Sequence, residues 1–268
     1  MTDNILMLTI SARNLSRDYG SYSAVKEINL ELKHGEVLGF LGPNGAGKTT
    51  TIKMIAGLLK PSSGSLSICG HHMDRTSVRC RQLTGYIPDR PYLYEKLTGK
   101  EYLNFIASLY SEVLPHETWQ DHADEYLNYF DIYEWRNKLI ESYSHGMRQK
   151  LIITSILMLD QPFIVVDEPM VGLDPKSARI VKELFRKKAN EGKTVFLSTH
   201  SMEIAEELCD RISIISGGNI IATGTVEALR NEADHRSSSL EDLFLRLTGA
   251  FELQGVIAAL RNSRNHQQ

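Results

Sequence analysis

Cysteine is scarce in this chain of 268 residues: Cys69, Cys80 and Cys209 are scattered, odd in number and without a C-x-x-C spacing. That pattern excludes a disulfide framework and a cysteine-ligated zinc site, and it fits a reducing compartment. Histidine supplies no metal site either, since no pair has ligand spacing; His71 and His72 are adjacent and are expected to decorate a turn. An excess of one charge is also missing. The formal net charge is −3, so no global basic field points to nucleic acid, and none is expected as a partner. The densest cationic run, RKK at 186–188, falls on a predicted amphipathic helix and reads as a solvated face. Long apolar runs are absent too: LIITSILML at 151–159 is far short of the about 18 residues that span a bilayer. The opening, MTDNILMLTI, lacks the cationic n-region and small-residue cleavage site of a signal peptide. The expectation is a soluble chain that reaches a membrane only through a partner.

What is present is an alternation of strand and helix signals. VLGFL (37–41) is a short apolar run ending in Gly-Pro-Asn-Gly, as a buried strand would. KTTTIKMIAGLL follows, with Ile52, Ile55, Ala56 and Leu59 on one helical face; PSSG (61–64) is a turn, and SLSICG alternates like a strand. From Thr98 the spacing Leu103, Ile106, Ala107, Tyr110 predicts a helix, a second runs roughly from Glu117 to Phe130, and a third follows SHGMRQK through Leu159. FIVVDEP (163–169) and TVFLSTH (194–200) read as buried strands. Between them lies a helix with Asp174 as N-cap, Pro175 at its first position and Gly192 just past its end. RISIISGGNIIATG predicts a hairpin turning on Gly217–Gly218–Asn219, and LEDLFLRL predicts a late helix before a loose polar tail. The fold class is α/β, with a mainly parallel sheet covered on both faces and a helical insertion at about 85–160.

Two stretches carry chemistry. GPNGAGKT (42–49) matches G-x-x-x-x-G-K-S/T in the context that gives it meaning, after a buried strand and opening a helix. Gly42, Gly45 and Gly47 let the backbone curl with its N–H groups inward, and the helix N-terminus adds positive potential. Lys48 then reaches the β- and γ-phosphates, the Thr49 hydroxyl can ligate Mg²⁺, and Thr50 is a candidate for a further phosphate contact. FIVVDEP supplies acids at a strand end: Asp167, placed to hold Mg²⁺, and Glu168, able to orient or deprotonate a water. His200 lands at the same sheet edge. A third stretch, SYSHGMRQK (142–150), is half of an anion cup, redundant beside so complete a phosphate loop.

These motifs, with GLDP at 172–175 and STH at 198–200, stand in an order that resembles an ABC-type ATPase subunit over roughly residues 8–230. The chain looks most like the stand-alone ATP-binding subunits of bacterial ABC transporters, in the exporter branch whose signature reads YS-x-G-MRQ. The resemblance implies a P-loop NTPase core with an N-terminal antiparallel β part and an inserted α-helical subdomain. Residues 1–230 would form the ATPase domain, with 1–84 and 161–230 as core and 85–160 as insertion, and 231–268 a C-terminal extension. ATP and Mg²⁺ are the implied cofactors. The phosphate loop (Gly42, Pro43, Asn44, Gly45, Ala46, Gly47, Lys48, Thr49, Thr50) would wrap the phosphates, and Tyr19 in RDYGSYS would stack on adenine. Glu168 would be the catalytic carboxylate and His200 a γ-phosphate contact. In that family two subunits pair head to tail, so Ser144 and Gly146 would bind the ATP held by a second ABC ATPase subunit, identical or different. Asp174 would link the two sites. A separate transmembrane permease would receive the motion at the cytoplasmic face of the cell membrane, docked near YIPDRPYLYEKLTG, with this chain peripheral. Tyr92 and Tyr94 there read equally as docking or core residues. The alternative is a soluble ABC ATPase in a non-transport complex. Translation types carry two cassettes and repair types a long coiled coil, and this chain has neither.

The chain departs from the family pattern twice. YSHGM replaces LSGGQ, so His145 and Met147 stand where Gly and Gln are usual. Asp89 stands after GYIP in place of a Gln that contacts Mg²⁺ and senses the membrane partner. A carboxylate can ligate Mg²⁺, but it adds negative charge near the γ-phosphate, so slow basal hydrolysis is expected.

Overall fold

The computed structural model describes residues 8–74, 77–111, 119–232 and 239–249. In chain order come β1 (Leu8–Tyr19), β2 (Tyr22–Lys33), β3 (Val37–Leu41), α1 (Lys48–Ile55), β4 (Ser63–Ile68), β5 (His71–His72), α2 (Val78–Gln82) and β6 (Thr84–Ile87). Helices α3 (Gly99–Leu109), α4 (Trp119–Tyr129) and α5 (His145–Leu157) follow, with short 3-10 turns at Tyr133–Trp135 and Ile140–Ser142 between the last two. The chain returns through β7 (Phe163–Asp167), α6 (Pro175–Asn190), β8 (Thr194–Ser198), α7 (Met202–Leu208), β9 (Arg211–Ser216) and β10 (Asn219–Gly224). It ends, among the described residues, in α8 (Val226–Glu232) and α9 (Leu240–Leu247).

The central sheet has the order β10-β9-β3-β8-β7-β6, parallel except for β10. Its middle strands β3, β7 and β8 are buried along their whole length, which is why they read as unbroken apolar runs instead of alternating ones. Their side chains divide by parity. Leu38, Phe40, Phe163, Val165 and Phe196 face α1 and a second, antiparallel sheet of order β2-β1-β4-β5. Val37, Leu41, Ile164, Val166, Val195 and Leu197 face the opposite side, with α5 and α6. The carboxyl ends of β3, β7 and β8 therefore share one edge, and every loop that leaves there is brought within reach of the others.

Several local expectations need correction. The stretch His71–His72 is a short exposed strand paired with β4, not only a turn. Helix α1 stops at Ile55, short of Leu59, because Gly57 takes φ 71. Strand β6 places residues up to Ile87 in the central sheet, so the sheet runs past residue 84. The RKK run is not a uniformly solvated face. Lys187 is exposed, but Arg186 pairs with Asp210 at 2.8 Å and Lys188 is buried against Asp160 at 2.7 Å. The predicted start of α4 at Glu117 and the tail after Gly249 lie outside the described residues.

Candidate functional site

The phosphate-loop residues connect β3 to α1. Gly47 has φ 108, and a Cβ there would come 2.5 Å from the Ala24 carbonyl oxygen, so only glycine fits. Gly42 serves differently: a Cβ would meet the Ile215 carbonyl at 2.4 Å, so its role is space, not an unusual backbone angle. No side chain caps α1, which leaves the first-turn amides available to an anion. Lys48 Nζ donates to the Gly42 and Pro43 carbonyls at 2.5 and 3.1 Å. Burial lowers its pKa, while Glu168 and Asp167 act to raise it.

The facing wall is the carboxyl end of β7. Asp167 is buried, which raises its pKa; Asp89 and Glu168 add to the rise, while the neighbouring Ser198 hydroxyl and Lys48 oppose it. Glu168 has φ 47, a left-handed backbone that costs a non-glycine residue roughly 1 kcal/mol and that clusters at functional sites. Its N–H donates to the Ser198 carbonyl at 3.0 Å, and its Oε1 lies 2.8 Å from His200 Nδ1.

The third wall is the β1–β2 hairpin. Together the three enclose a cleft of about 380 Å³. Of the sequence candidates, Tyr19, Pro43, Asn44, Gly45, Gly47, Lys48, Thr49, Thr50, Asp89, Asp167 and Glu168 line it. Gly42 and buried Ala46 are loop residues that do not line the cleft, and His200 reaches it through Glu168. Tyr22, Ala24 and Ser198 also line it. Sequence reasoning missed them, although Tyr22 and Ser198 lie inside the quoted stretches RDYGSYS and STH.

Ser144, Gly146 and Asp174 line no part of this cleft. Ser144 caps α5, its Oγ accepting from the Met147 N–H at 3.3 Å. A Cβ on Gly146 would come 2.9 Å from the Gly172 carbonyl, and the His145 ring sits where a Gly172 Cβ would be, so YSHGM and GLDP share one corner. Asp174 caps α6 through the Ser177 N–H at 2.9 Å and receives Lys150 Nζ at 3.1 Å. The Ser177 hydrogen bonds hold its carboxyl far below the ordinary value.

A glycine loop on an uncapped helix, facing a buried aspartate and a partly exposed glutamate across a parallel sheet edge, is the chemistry of a P-loop nucleoside triphosphatase. The comparisons narrow that class. The family model described as ABC transporter matches residues 25–171. The linearmycin resistance ATP-binding protein LnrL of Bacillus subtilis is 39% identical, over 94% of this chain and 79% of its own. The lipopolysaccharide export system ATP-binding protein LptB of Haemophilus influenzae is 32% identical, over 89% and 99%. A solved ATP-binding subunit of an ABC transporter superposes with a TM-score of 0.86 at 32% identity, over 90% of this chain and 99% of that one. A dimeric ATP-binding cassette in a post-hydrolysis state with ADP and Pi gives 0.73 at 25%, over 81% and 98%. The chain belongs to the ABC transporter family, among its ATP-hydrolysing, ATP-binding subunits.

Proposed function

We propose that this chain binds MgATP in the cleft and hydrolyses it to ADP and phosphate as half of a two-site engine driving a separate membrane subunit. Lys48, Thr49, Thr50 and the amides of residues 42–47 hold the phosphates, and Tyr19 receives the base. The oxygens of Thr49, Asp167 and Asp89 would hold Mg²⁺, a hard cation suited to such donors. Among the described residues no group of three or more His, Cys, Asp or Glu side chains forms a metal cage; a magnesium that arrives on its phosphates does not need one. When bound, it neutralises charge on the β- and γ-phosphates. Glu168 orients the attacking water and accepts its proton, with His200 holding the carboxylate at 2.8 Å and facing the γ-phosphate.

The observation that carries the two-site reading is the separation of the halves: Ser144 and Gly146, at the N-terminus of α5, lie outside the nucleotide cleft of the same chain. They complete the site of a second ATPase subunit, with Asp174 at the link. Because β6 belongs to the central sheet, residues 88–160 act as the helical subdomain, 1–87 and 161–230 as the core, and 231–268 as an extension. Tyr92 and Tyr94 are 84% and 61% exposed, which favours docking over core packing. Tyr94 stacks edge-on with Phe105 at 5.4 Å, beside exposed Leu109 on the same helix. In this reading the surface receives the permease, with the chain peripheral at the cytoplasmic face. No helix among the described residues is long and apolar enough to cross a membrane. Export is favoured by the YSHGM signature and by relatives that serve linearmycin resistance and lipopolysaccharide export.

The test is Glu168→Gln in the purified chain. ATP binding is expected to persist while turnover falls by at least about 100-fold, the scale of a lost general base. ATP should then drive the variant into a dimer in gel filtration. Turnover at the unmodified rate would remove Glu168 from the chemistry.

A further inference from the structure

We propose that Tyr22 is a second contact for the nucleoside base, and that Arg17 determines which face of Tyr19 the base can use. This rests on the reading that Tyr19 receives the base. Tyr19 and Tyr22 are directly paired across the β1–β2 hairpin, flanking the turn at Gly20–Ser21, where Gly20 takes φ 61. Residues directly opposite in an antiparallel pair project to the same face with Cβ atoms about 5 Å apart. Ala24, at the bulge opposite Arg17–Asp18, also lines the cleft, and its small side chain keeps the floor between the rings and the phosphate loop low. Both tyrosines line the cleft, yet they are 48% and 59% exposed. Two large aromatic rings left half wet at the mouth of a nucleotide cleft are surface that a planar base would cover.

The Arg17 guanidinium carbon lies 4.8 Å from the Tyr19 ring centroid, and its Nη1 donates to the Lys60 carbonyl at 2.8 Å. Arg17 is not part of the cleft wall. One π-face of Tyr19 is thus occupied by a cation pinned from below, and only the face turned to the cleft is open to stacking. A base entering there meets Tyr22 next. Base–aromatic contacts of this kind are additive to the phosphate contacts, because they touch a different part of the ligand.

The experiment is calorimetric titration of the full chain with MgATP and, separately, with inorganic triphosphate. Tyr22→Ala is expected to weaken ATP binding at least about five-fold, the low end for a lost base–aromatic contact. Inorganic triphosphate should bind the variant as it binds the parent. Tyr22→Phe, which keeps the ring, should stay within about two-fold for ATP. Equal loss for ATP and triphosphate would mean hairpin damage and would overturn the proposal. So would an unchanged ATP affinity in Tyr22→Ala while Tyr19→Ala weakens it, which leaves Tyr19 alone as the base contact. If neither alanine variant alters ATP binding, the Tyr19 assignment falls along with this one.

Discussion

Lys188 has 5% of its side chain exposed, and Asp160, which it meets at 2.7 Å, is also held by Lys193 at 2.8 Å. Tyr126 lies beneath the ammonium at 5.9 Å. Burial would lower the lysine's pKa, but the hydrogen bond to Asp160 and the charges of Asp160 and Tyr126 reverse this and raise it. Removing the partner of a buried charge is more costly than losing a surface pair. Asp160 is 41% exposed and keeps Lys193, so Lys188→Ala should cost about 2 kcal/mol in chemical denaturation, below the usual range for a fully buried pair. The acid side has a definite sign. Burial raises the Asp160 pKa, yet the lysines depress it below the ordinary value overall. Its contribution is thus complete above the ordinary carboxylate pKa and disappears as pH falls through the depressed one. Thermal melting from pH 7 towards pH 3 should show less acid destabilisation in Asp160→Asn than in the parent; equal slopes would remove this pair from the acid response. The run RKK gives no hint of this, because the partner lies 28 residues away, just past the end of α5. Tyr22 was hidden in a different way. Its side chain is one of several aromatics until a hairpin register sets it opposite Tyr19.

At the scale of elements, the segment proposed to dock the permease and the signature helix are joined. Arg148 on α5 reaches Glu95 at 2.5 Å and also donates to the Tyr143 and Glu141 carbonyls at 3.2 Å each. Lys96 adds a bond to the Glu141 side chain at 2.6 Å. If the permease docks at Tyr92–Tyr94, these bonds give its movement a route to the helix that Ser144 caps, outside the ATP cleft. Glu95 is half exposed, so its pair contributes little to stability, and Glu95→Gln should fold normally. Its ATPase rate alone should stay within about two-fold of the parent, while stimulation by the membrane subunit falls about five-fold, the lower end of allosteric coupling. The charge-swapped pair Glu95→Arg with Arg148→Glu should recover part of the loss, and unaltered stimulation in Glu95→Gln would exclude this route. Elements differed in how far the sequence disclosed them. Strands β3, β7 and β8 were legible because burial on both faces forces continuous apolar runs. Helix α6 was legible from its Asp174 cap, Pro175 and Gly192. The four-stranded antiparallel sheet was expected only from the family resemblance. Its strands carry register shifts, as between Ala12 and Leu15, that blur the period-two pattern.

For the whole molecule, the two half-sites make a prediction that no single-chain enzyme would satisfy. On the two-site reading, each composite site would take its phosphate loop from one subunit and its signature from the other, so a lesion in either half would silence the site it belongs to. Lys48→Ala removes the phosphate cation, and Ser144→Arg fills the anion cup; each pure preparation should be inactive. In a mixture, a dimer with one copy of each variant has one doubly damaged site and one made wholly of native halves. Random pairing of equal amounts in a symmetric dimer should restore about a quarter of the parental activity per subunit. That recovery, measured as ATPase rate against mixing ratio, should be greatest near equal amounts and vanish at either extreme. Recovery identifies the second subunit as another copy of this chain. If each variant is inactive and the mixture stays inactive, while adding a different ATPase subunit to either one restores turnover, the partner is a distinct chain. If Ser144→Arg alone retains full activity in the assembled transporter, the anion cup on α5 contributes nothing to hydrolysis, and the two-site reading fails.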